Sequence, residues 1–393
     1  MFQKRTFIAG GLLTLSLLVT GCGGAAQPPA TIIVEGTPQI VEVTSTPVPQ
    51  PPAGSIQING AGATFPLPVY SQWTFAHQYV DPAAAINYQG IGSGGGKKGI
   101  VDGTLDFAGS DSLLKAEEYE AGKDLQMYPM LAGAVVPIYN IKWAKEIPSG
   151  TTLPKLVLDR ATLVGIYNAT IKTWNDLAIV ATNPDLKDYL PAAPITAVHR
   201  SDGSGTTEIF TKSLAAFSPD WTAGGAASVE WPVDKAGTGV GGKGNAGVAA
   251  VVINTPNSIG YVELSYAISN NIAYASMINK TGKTVVPNDQ SLAAAMADFA
   301  GSFSDKLTAT IVDAPGAESW PIAGYTYIIL HTTSMADCTK AEHLVSFLYW
   351  ALTDEGAGQA AANLGYSVLP GDVKDQVLAK LGEVTCGGNP VMK

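Results

Sequence analysis

Charged side chains are scarce in this chain of 393 residues: Asp, Glu, Lys and Arg together make up 14%, against about 25% in an average soluble domain. What charge there is runs negative. The 23 basic and 33 acidic side chains give a net −10, the wrong sign for a nucleic-acid partner, whose phosphates are met by basic surfaces. Three cysteines are too few for the disulfide framework of a small secreted scaffold. The four histidines, His77, His199, His331 and His343, show none of the spacings that place ligands around zinc, so neither a metal nor a cofactor is expected. No G-x-S-x-G nucleophile elbow occurs, and no Ser/His/Asp set is suggested locally. Beyond the extreme N-terminus no apolar run nears the roughly 20 residues that span a bilayer. What remains is a globular composition. Hydrophobic residues at 46% exclude wholesale disorder, and the length suffices for two or three domains with cores of their own. Gly is abundant at 43 residues, which implies many turns and close backbone approaches.

The N-terminus reads as a targeting segment. Lys4 and Arg5 precede an apolar stretch from Phe7 to Val19 and then Thr20-Gly21-Cys22, the order of a secretory leader. Leu18-Val19-Thr20-Gly21-Cys22 resembles a bacterial lipobox, which implies that residues 1–21 are removed and Cys22 is acylated; an ordinary leader with an incidental Cys is the alternative. Residues 22–54 hold seven prolines and no aromatic, so they build no core and read as a tether. As polyproline II that tether would extend roughly 100 Å. Anchor, tether and body together place the protein outside the cytoplasm, lipid-anchored at the cell membrane in a periplasm or at the outer face; several acyl chains make such an anchor stable where one is marginal. With Cys22 given to lipid, Cys338 and Cys386 remain in an oxidising compartment, where pairing is favoured over two free buried thiols.

From Gly54 onward strand-like runs alternate with helical patterns. Strands are expected at Ile56–Asn59, Ile86–Gln89, Leu105–Gly109, Gly133–Tyr139, Ala197–His199, Ile259–Glu263 and Tyr325–His331. Helices are expected at Pro66–Val80, with Val69, Trp73, Ala76 and Val80 on one face, and at Glu208–Phe217, with Phe210, Leu214 and Phe217 on one face. Ala341–Thr353 and Val373–Lys380 read the same way. This alternation predicts an α/β fold with largely parallel sheets, and the length of the body favours two lobes. Trp73, Trp231, Trp320 and Trp350 are expected in the core.

In open α/β sheets ligands bind where strands give way to helices, and four such junctions stand out: Gly60–Pro66, Gly90–Gly96, Ala108–Asp111 and His199–Thr207. Three combine Gly with Ser or Thr just ahead of a helix. Gly opens the backbone amides to a guest, hydroxyls add donors, and a helix N-terminus carries about half a positive charge. Arg200 adds a planar fork of N–H donors. Together these describe a site for a small oxyanion; singly, each cluster is an ordinary loop or cap. Asp202, two residues from Arg200, is expected to pair with it and orient it, a plain helix-proximal cap being the alternative. Asp111 is the more telling acid. An ionised carboxylate only accepts hydrogen bonds, so it helps only an anion that brings a proton. Phosphate near neutral pH does so and sulfate does not, and an acceptor among donors therefore favours phosphate. Gly90/Gly92/Gly95 and Gly237/Gly239/Gly242 both fit G-x-G-x-x-G. The second set runs into Lys243 and nearly spells a P-loop, but no Ser or Thr follows the Lys. It reads as a glycine-rich turn into a helix near Gly247–Val252.

At these junctions the chain resembles the periplasmic phosphate-binding proteins of bacterial phosphate ABC transporters, the PstS family, from about Ile56 to about Val384. The resemblance rests on Gly60–Pro66, Asn87–Ser93, Asp106-Phe107 with Ser110-Asp111, Arg200–Thr206, Gly241–Asn245 and Ile259–Glu263. It implies a class II periplasmic-binding-protein fold: two α/β lobes joined by two hinge crossings, with a ligand cleft between them. One lobe is expected at 55–136 plus 321–393 and the other at 137–320. By the same resemblance Thr64 donates its hydroxyl and Phe65 its amide, Ser93 donates by hydroxyl and amide, and Asp111 accepts the proton of the anion. Arg200, held by Asp202, grips oxygens, and Ser204, Gly205 and Thr206 donate from a helix N-terminus. Ser201 and Thr207 depart from the usual family pattern, as does the Cys338/Cys386 pair. The implied partners are inorganic phosphate, the permease subunits of the transporter and, through the anchor, the membrane; a monomer without covalent chemistry is expected. The competing readings are an exported phosphatase, a binder of another tetrahedral oxyanion, and an adhesin or sensor using the same fold.

Overall fold

The computed structural model describes residues 30–32, 41–43 and 54–392; the leader, Cys22 and most of the tether lie outside them. The chain divides into two units, 1–50 and 51–393. In the first, Ala30–Ile32 pairs antiparallel with Val41–Val43. A two-stranded ribbon thus interrupts the stretch read as a featureless tether. Thr31, Ile32, Val41 and Val43 are β-branched, and such residues favour strands.

The second unit is built on a nine-stranded mixed sheet. Its main elements are β1 (Ile56–Gly62), α1 (Leu67–Val80), β2 (Ala84–Gly90), α2 (Ser93–Val101), β3 (Phe107–Ser110), β4 (Leu125–Asn140), β5 (Thr196–Arg200), α3 (Gly205–Phe217), β6 (Gly239–Gly242), α4 (Gly244–Asn254), β7 (Ser258–Glu263), β8 (Ala323–His331) and α5 (Cys338–Thr353). The strand order is β2-β1-β3-β8-β4-β7-β5-β6, with the short strand Ser367–Val368 also on β4. β2, β1 and β3 run parallel at one flank, and β7, β5 and β6 run parallel at the other. Between them the pairings β3–β8, β8–β4 and β4–β7 are antiparallel. The expected parallel character therefore holds at the flanks and fails in the middle.

β4 joins the flanks. Its residues Leu125–Ala134 pair with β8, and Val135–Asn140 pair with β7. All but its last residue are buried, the near-continuous apolar run of a strand covered on both faces. Trp73, Trp231 and Trp320 lie in the core with Tyr128, Phe107, Phe210 and Tyr261, whereas Trp350 packs against it only partly buried. In α3 the predicted face of Phe210, Leu214 and Phe217 is the buried one. In α1 the buried stripe is Val69, Tyr70, Trp73 and His77. Ala76 and Val80, expected inside, face out, because the polar-looking His77 packs between Phe347 and Trp350.

The other histidines are held by acids: His199 by Asp234, His331 by Asp124 and His343 by Asp81. Among the described residues no group of three or more His, Cys, Asp or Glu is arranged to hold a metal, and no helix is long and apolar enough to cross a membrane. Cys338, the first residue of α5, is joined by a disulfide to Cys386 of the terminal hairpin, 48 residues away. Closing a loop of that size contributes about 4 kcal/mol in the chain-entropy account.

Candidate anion-binding site

The strand ends of both flanks meet where the sequence places its junctions. β1 delivers Thr64 and Phe65 ahead of α1, β2 delivers Ser93 as the first residue of α2, and β3 delivers Asp111. From the other flank β5 ends on Arg200, and Ser204 caps α3, its hydroxyl accepting from the Thr207 amide at 3.1 Å. All of these are buried, as are Gly205 and Thr206, whereas Asp202 is half-buried.

The two flanks touch directly. The Ser93 hydroxyl accepts from the Gly205 amide at 3.0 Å and from the Asp111 amide at 3.3 Å, and donates to Asp111 Oδ2 at 3.4 Å. The Gly94 amide donates to the Gly203 carbonyl at 3.0 Å. Gly205 is required by clearance: a Cβ there would lie 2.5 Å from the Asp111 Cβ and 2.6 Å from the Ser112 nitrogen.

Arg200 is fixed by Asp202 in a two-point contact, with Nε to Oδ1 at 2.8 Å and Nη2 to Oδ2 at 2.5 Å, while Nη1 reaches Thr206 Oγ1 at 3.4 Å. Such a fork holds the guanidinium plane as well as its charge. The Gly244 amide also donates to Asp202 at 3.0 Å. Burial alone would raise the Asp202 carboxyl, but the Arg200 hydrogen bonds and charge and the Gly244 amide outweigh it and hold the acid below its ordinary value.

Asp111 is in the opposite condition. Burial pushes its carboxyl up to about 7, against the hydrogen bond donated by Thr326 at 2.8 Å, the Arg200 charge and the Ser93 hydroxyl. It is a buried acceptor among the donors Ser93, Arg200 and Gly205.

Phe65 divides its work. Its ring is fully buried edge-on to Tyr366, whose hydroxyl donates to the Phe65 carbonyl at 2.7 Å.

Several residues that complete this arrangement were given no role by sequence. Asn245, fully buried at the start of α4, donates through its amide (3.1 Å) and Nδ2 (2.8 Å) to Thr64 Oγ1, and through Nδ2 to Thr206 Oγ1 at 3.2 Å. It thereby links Thr64 to the Arg200–Thr206 group. It belongs to the Gly241–Asn245 stretch, whose position after a glycine-rich turn is the available signal. Thr326 sits inside an apolar strand, and Tyr266, which donates to the Thr64 carbonyl at 2.6 Å, sits in a short helix; neither has a local signature. Thr207, noted only as a departure, hydrogen-bonds the Tyr261 hydroxyl at 2.7 Å. The Gly237–Gly244 stretch forms strand β6 and the entry to α4. That helix begins at 244, a few residues before the expected 247.

The chemistry of the arrangement is that of a desolvated cradle: hydroxyls, amides and one oriented guanidinium with a single carboxylate facing them. A PBP superfamily domain model matches residues 47–355. The phosphate-binding protein PstS of Pasteurella multocida is 39% identical over 326 residues, covering 82% of this chain and 89% of that one. The phosphate-binding protein PstS of Methanocaldococcus jannaschii is 36% identical over 395 residues, 94% of this chain and 92% of that one. Among solved structures, a high-affinity periplasmic phosphate-binding protein bound with phosphate superposes with a TM-score of 0.65 at 23% identity, covering 82% of this chain and 93% of that one. The mixed sheet with its two parallel flanks, the junctions gathered between them and this extent of similarity lead to one assignment: the chain belongs to the phosphate-binding protein PstS family of the PBP superfamily.

Proposed function

We propose that this protein is the substrate-binding subunit of a phosphate ABC importer, which captures inorganic phosphate and hands it to the membrane permease subunits without covalent chemistry. Phosphate enters between a lobe of residues 55–136 plus 321–393 and a lobe of residues 137–320, and the lobes close on it by hinging at β4 and at the chain entering β8. Thr64, Phe65 and Ser93 donate from one side, and Arg200, Ser204, Gly205 and Thr206 from the other, with Asp202 holding Arg200. Acylation at Cys22 keeps the monomer at the outer face of the cell membrane.

The observation that carries this reading is Asp111, a carboxylate buried at 5% exposure amid hydrogen-bond donors. In its ionised form that carboxyl only accepts, so it turns away an anion with no proton and takes one that has a proton to give. Hydrogen bonds to a charged guest are worth about 1.5–3 kcal/mol each, so several give micromolar or tighter capture after ordering costs. Calorimetric titration of the delipidated protein with phosphate and with sulfate tests it. One-to-one phosphate binding with sulfate excluded is expected; equal affinity for the two, or no heat with phosphate, overturns the reading. Sustained release of phosphate from an ester in the same preparation overturns the absence of catalysis.

A further inference from the structure

Behind the cradle lies a second buried acid, outside the residues proposed to hold the anion. Glu263 ends β7 and is fully buried. It faces Val135 of β4, at the point where that strand changes partners. Its amide donates to Asn245 Oδ1 at 2.9 Å, and Asn245 in turn holds the Thr64 hydroxyl. Its Oε2 lies 2.9 Å from the Tyr366 hydroxyl, which reaches the Phe65 carbonyl. Glu263 thus stands behind both Thr64 and Phe65 by two separate routes.

The protons around Glu263 can be counted. Oε2 accepts from the Ser265 amide at 2.9 Å and contacts the Ser265 hydroxyl closely; that hydroxyl lies 3.2 Å from the Tyr366 oxygen. Tyr366 has one proton and two acceptors, the Phe65 carbonyl at 2.7 Å and Glu263 at 2.9 Å. If the tyrosine serves the carbonyl, the Glu263–Tyr366 contact needs a proton from the acid. The other oxygen, Oε1, is buried with no hydrogen-bond partner among the described residues. An ionised carboxylate in that position leaves charge unsolvated, and a neutral acid does not. The groups bearing on Glu263 are Asn245 of α4, Ser265 and Tyr266 of the following short helix, Tyr366 of the C-terminal segment, and Asp111 across the site. There is no cation among them, and Asp111 is an acid. Burial first, and Asp111 as well, push the carboxyl up to about 8 despite the Ser265 and Tyr366 hydrogen bonds.

We infer that Glu263 is a positioning residue that works as a neutral acid. Its proton completes the Tyr366–Phe65 relay and, with Asn245, sets the Thr64–Phe65 turn for the anion, and loss of that proton puts a negative charge behind the site and releases phosphate. This inference rests on the phosphate reading above.

The test is phosphate titration of the full chain by calorimetry from pH 7 to 9.5, in two buffers of different ionisation enthalpy so that protons exchanged on binding are counted. Over this range phosphate keeps a proton for Asp111, so the alkaline limb isolates the acid behind it. Wild type is expected to lose affinity about tenfold between pH 8 and 9.5 and to take up protons on binding there. Glu263→Gln, neutral at every pH, is expected to lose both the alkaline limb and the proton uptake. Tyr366→Phe is expected to bind more weakly throughout while keeping the uptake. A wild type with no alkaline loss and no uptake overturns the inference whether or not the variants fold, and so does a Glu263→Gln profile parallel to wild type. Failure of wild type to bind phosphate at pH 7 counts instead against the phosphate reading.

Discussion

Arg200 and Asp202 meet by two parallel contacts, Nε to Oδ1 at 2.8 Å and Nη2 to Oδ2 at 2.5 Å, across a single intervening residue. The acid uses both of its oxygens on the guanidinium and adds the Gly244 amide, so it presents the arginine to the cradle in one orientation. Arg200→Lys keeps the charge and loses the fork. Phosphate affinity is expected to fall by about 2 kcal/mol, roughly thirtyfold. Asp202→Ala is expected to lower affinity as well, although it removes a negative charge near an anion. A rise in affinity for Asp202→Ala in a competition assay would show that repulsion outweighs orientation.

Asp111→Asn replaces an acceptor-only group with one that can also donate. Sulfate binding, expected to be excluded in wild type, is expected to appear, and the preference for phosphate to shrink by at least tenfold. Parallel titrations with the two anions decide it; an unchanged preference removes Asp111 from the discrimination.

The raised carboxyl of Asp111 also has a stability consequence. A group whose pKa is higher folded than unfolded favours the fold below its unfolded value, and that contribution disappears as pH rises through the folded one. For Asp111 the window runs from the ordinary 3.8 up to about 7. In the absence of phosphate, Asp111→Asn is therefore expected to gain stability over wild type at pH 8 and to gain less at pH 5. Thermal melts of the two proteins at those pH values check the sign.

Gly205→Ala forces a methyl into the Asp111 and Ser112 backbone. Relief requires the start of α3 to part from the segment that follows β3. A loss of about 1–3 kcal/mol in denaturant unfolding is expected, with phosphate affinity falling by more than that stability loss alone explains.

Reduction of the Cys338–Cys386 disulfide is expected to cost about 4 kcal/mol, and Cys386→Ser about the same. Equilibrium unfolding with and without reductant measures it. An unchanged midpoint would mean that the terminal hairpin adds nothing to the cooperative unit.

Much of the architecture was legible because its elements carry local signals. The strand read at Ile259–Glu263 runs Ser258–Glu263, and the helix read at Glu208–Phe217 runs Gly205–Phe217. β4 was seen only as Gly133–Tyr139. Pro129 and Pro137 argue against a continuous strand, but the pairing shifts register between Thr326 and Tyr327, opposite Pro129, which absorbs the first of them. No helix is expected over α2 from the sequence, since Gly94, Gly95, Gly96 and Gly99 have poor helix propensity. Packing overrides that: a Cβ on Gly96 would lie 2.7 Å from the Gly62 Cα. The antiparallel centre of the sheet was hidden because strand direction is set by distant pairing. At the site, Gly, Ser and Thr ahead of helices marked the junctions. Thr326 was not marked, because a single polar residue in an apolar element has no period to betray it; Asn245 and Glu263 lie at the ends of two stretches that carry the family resemblance, but nothing local gives either of them a role.

Strand β4 changes partners between Ala134 and Val135 with no break in its backbone, and Gly133 and Gly324 face each other beside that point. The flanks therefore share one mechanical member. In the two-lobe closure proposed above, turning one flank against the other would wring this ribbon like a torsion spring. The stiffness of a handful of residues around these two glycines would then help set how quickly captured phosphate is let go.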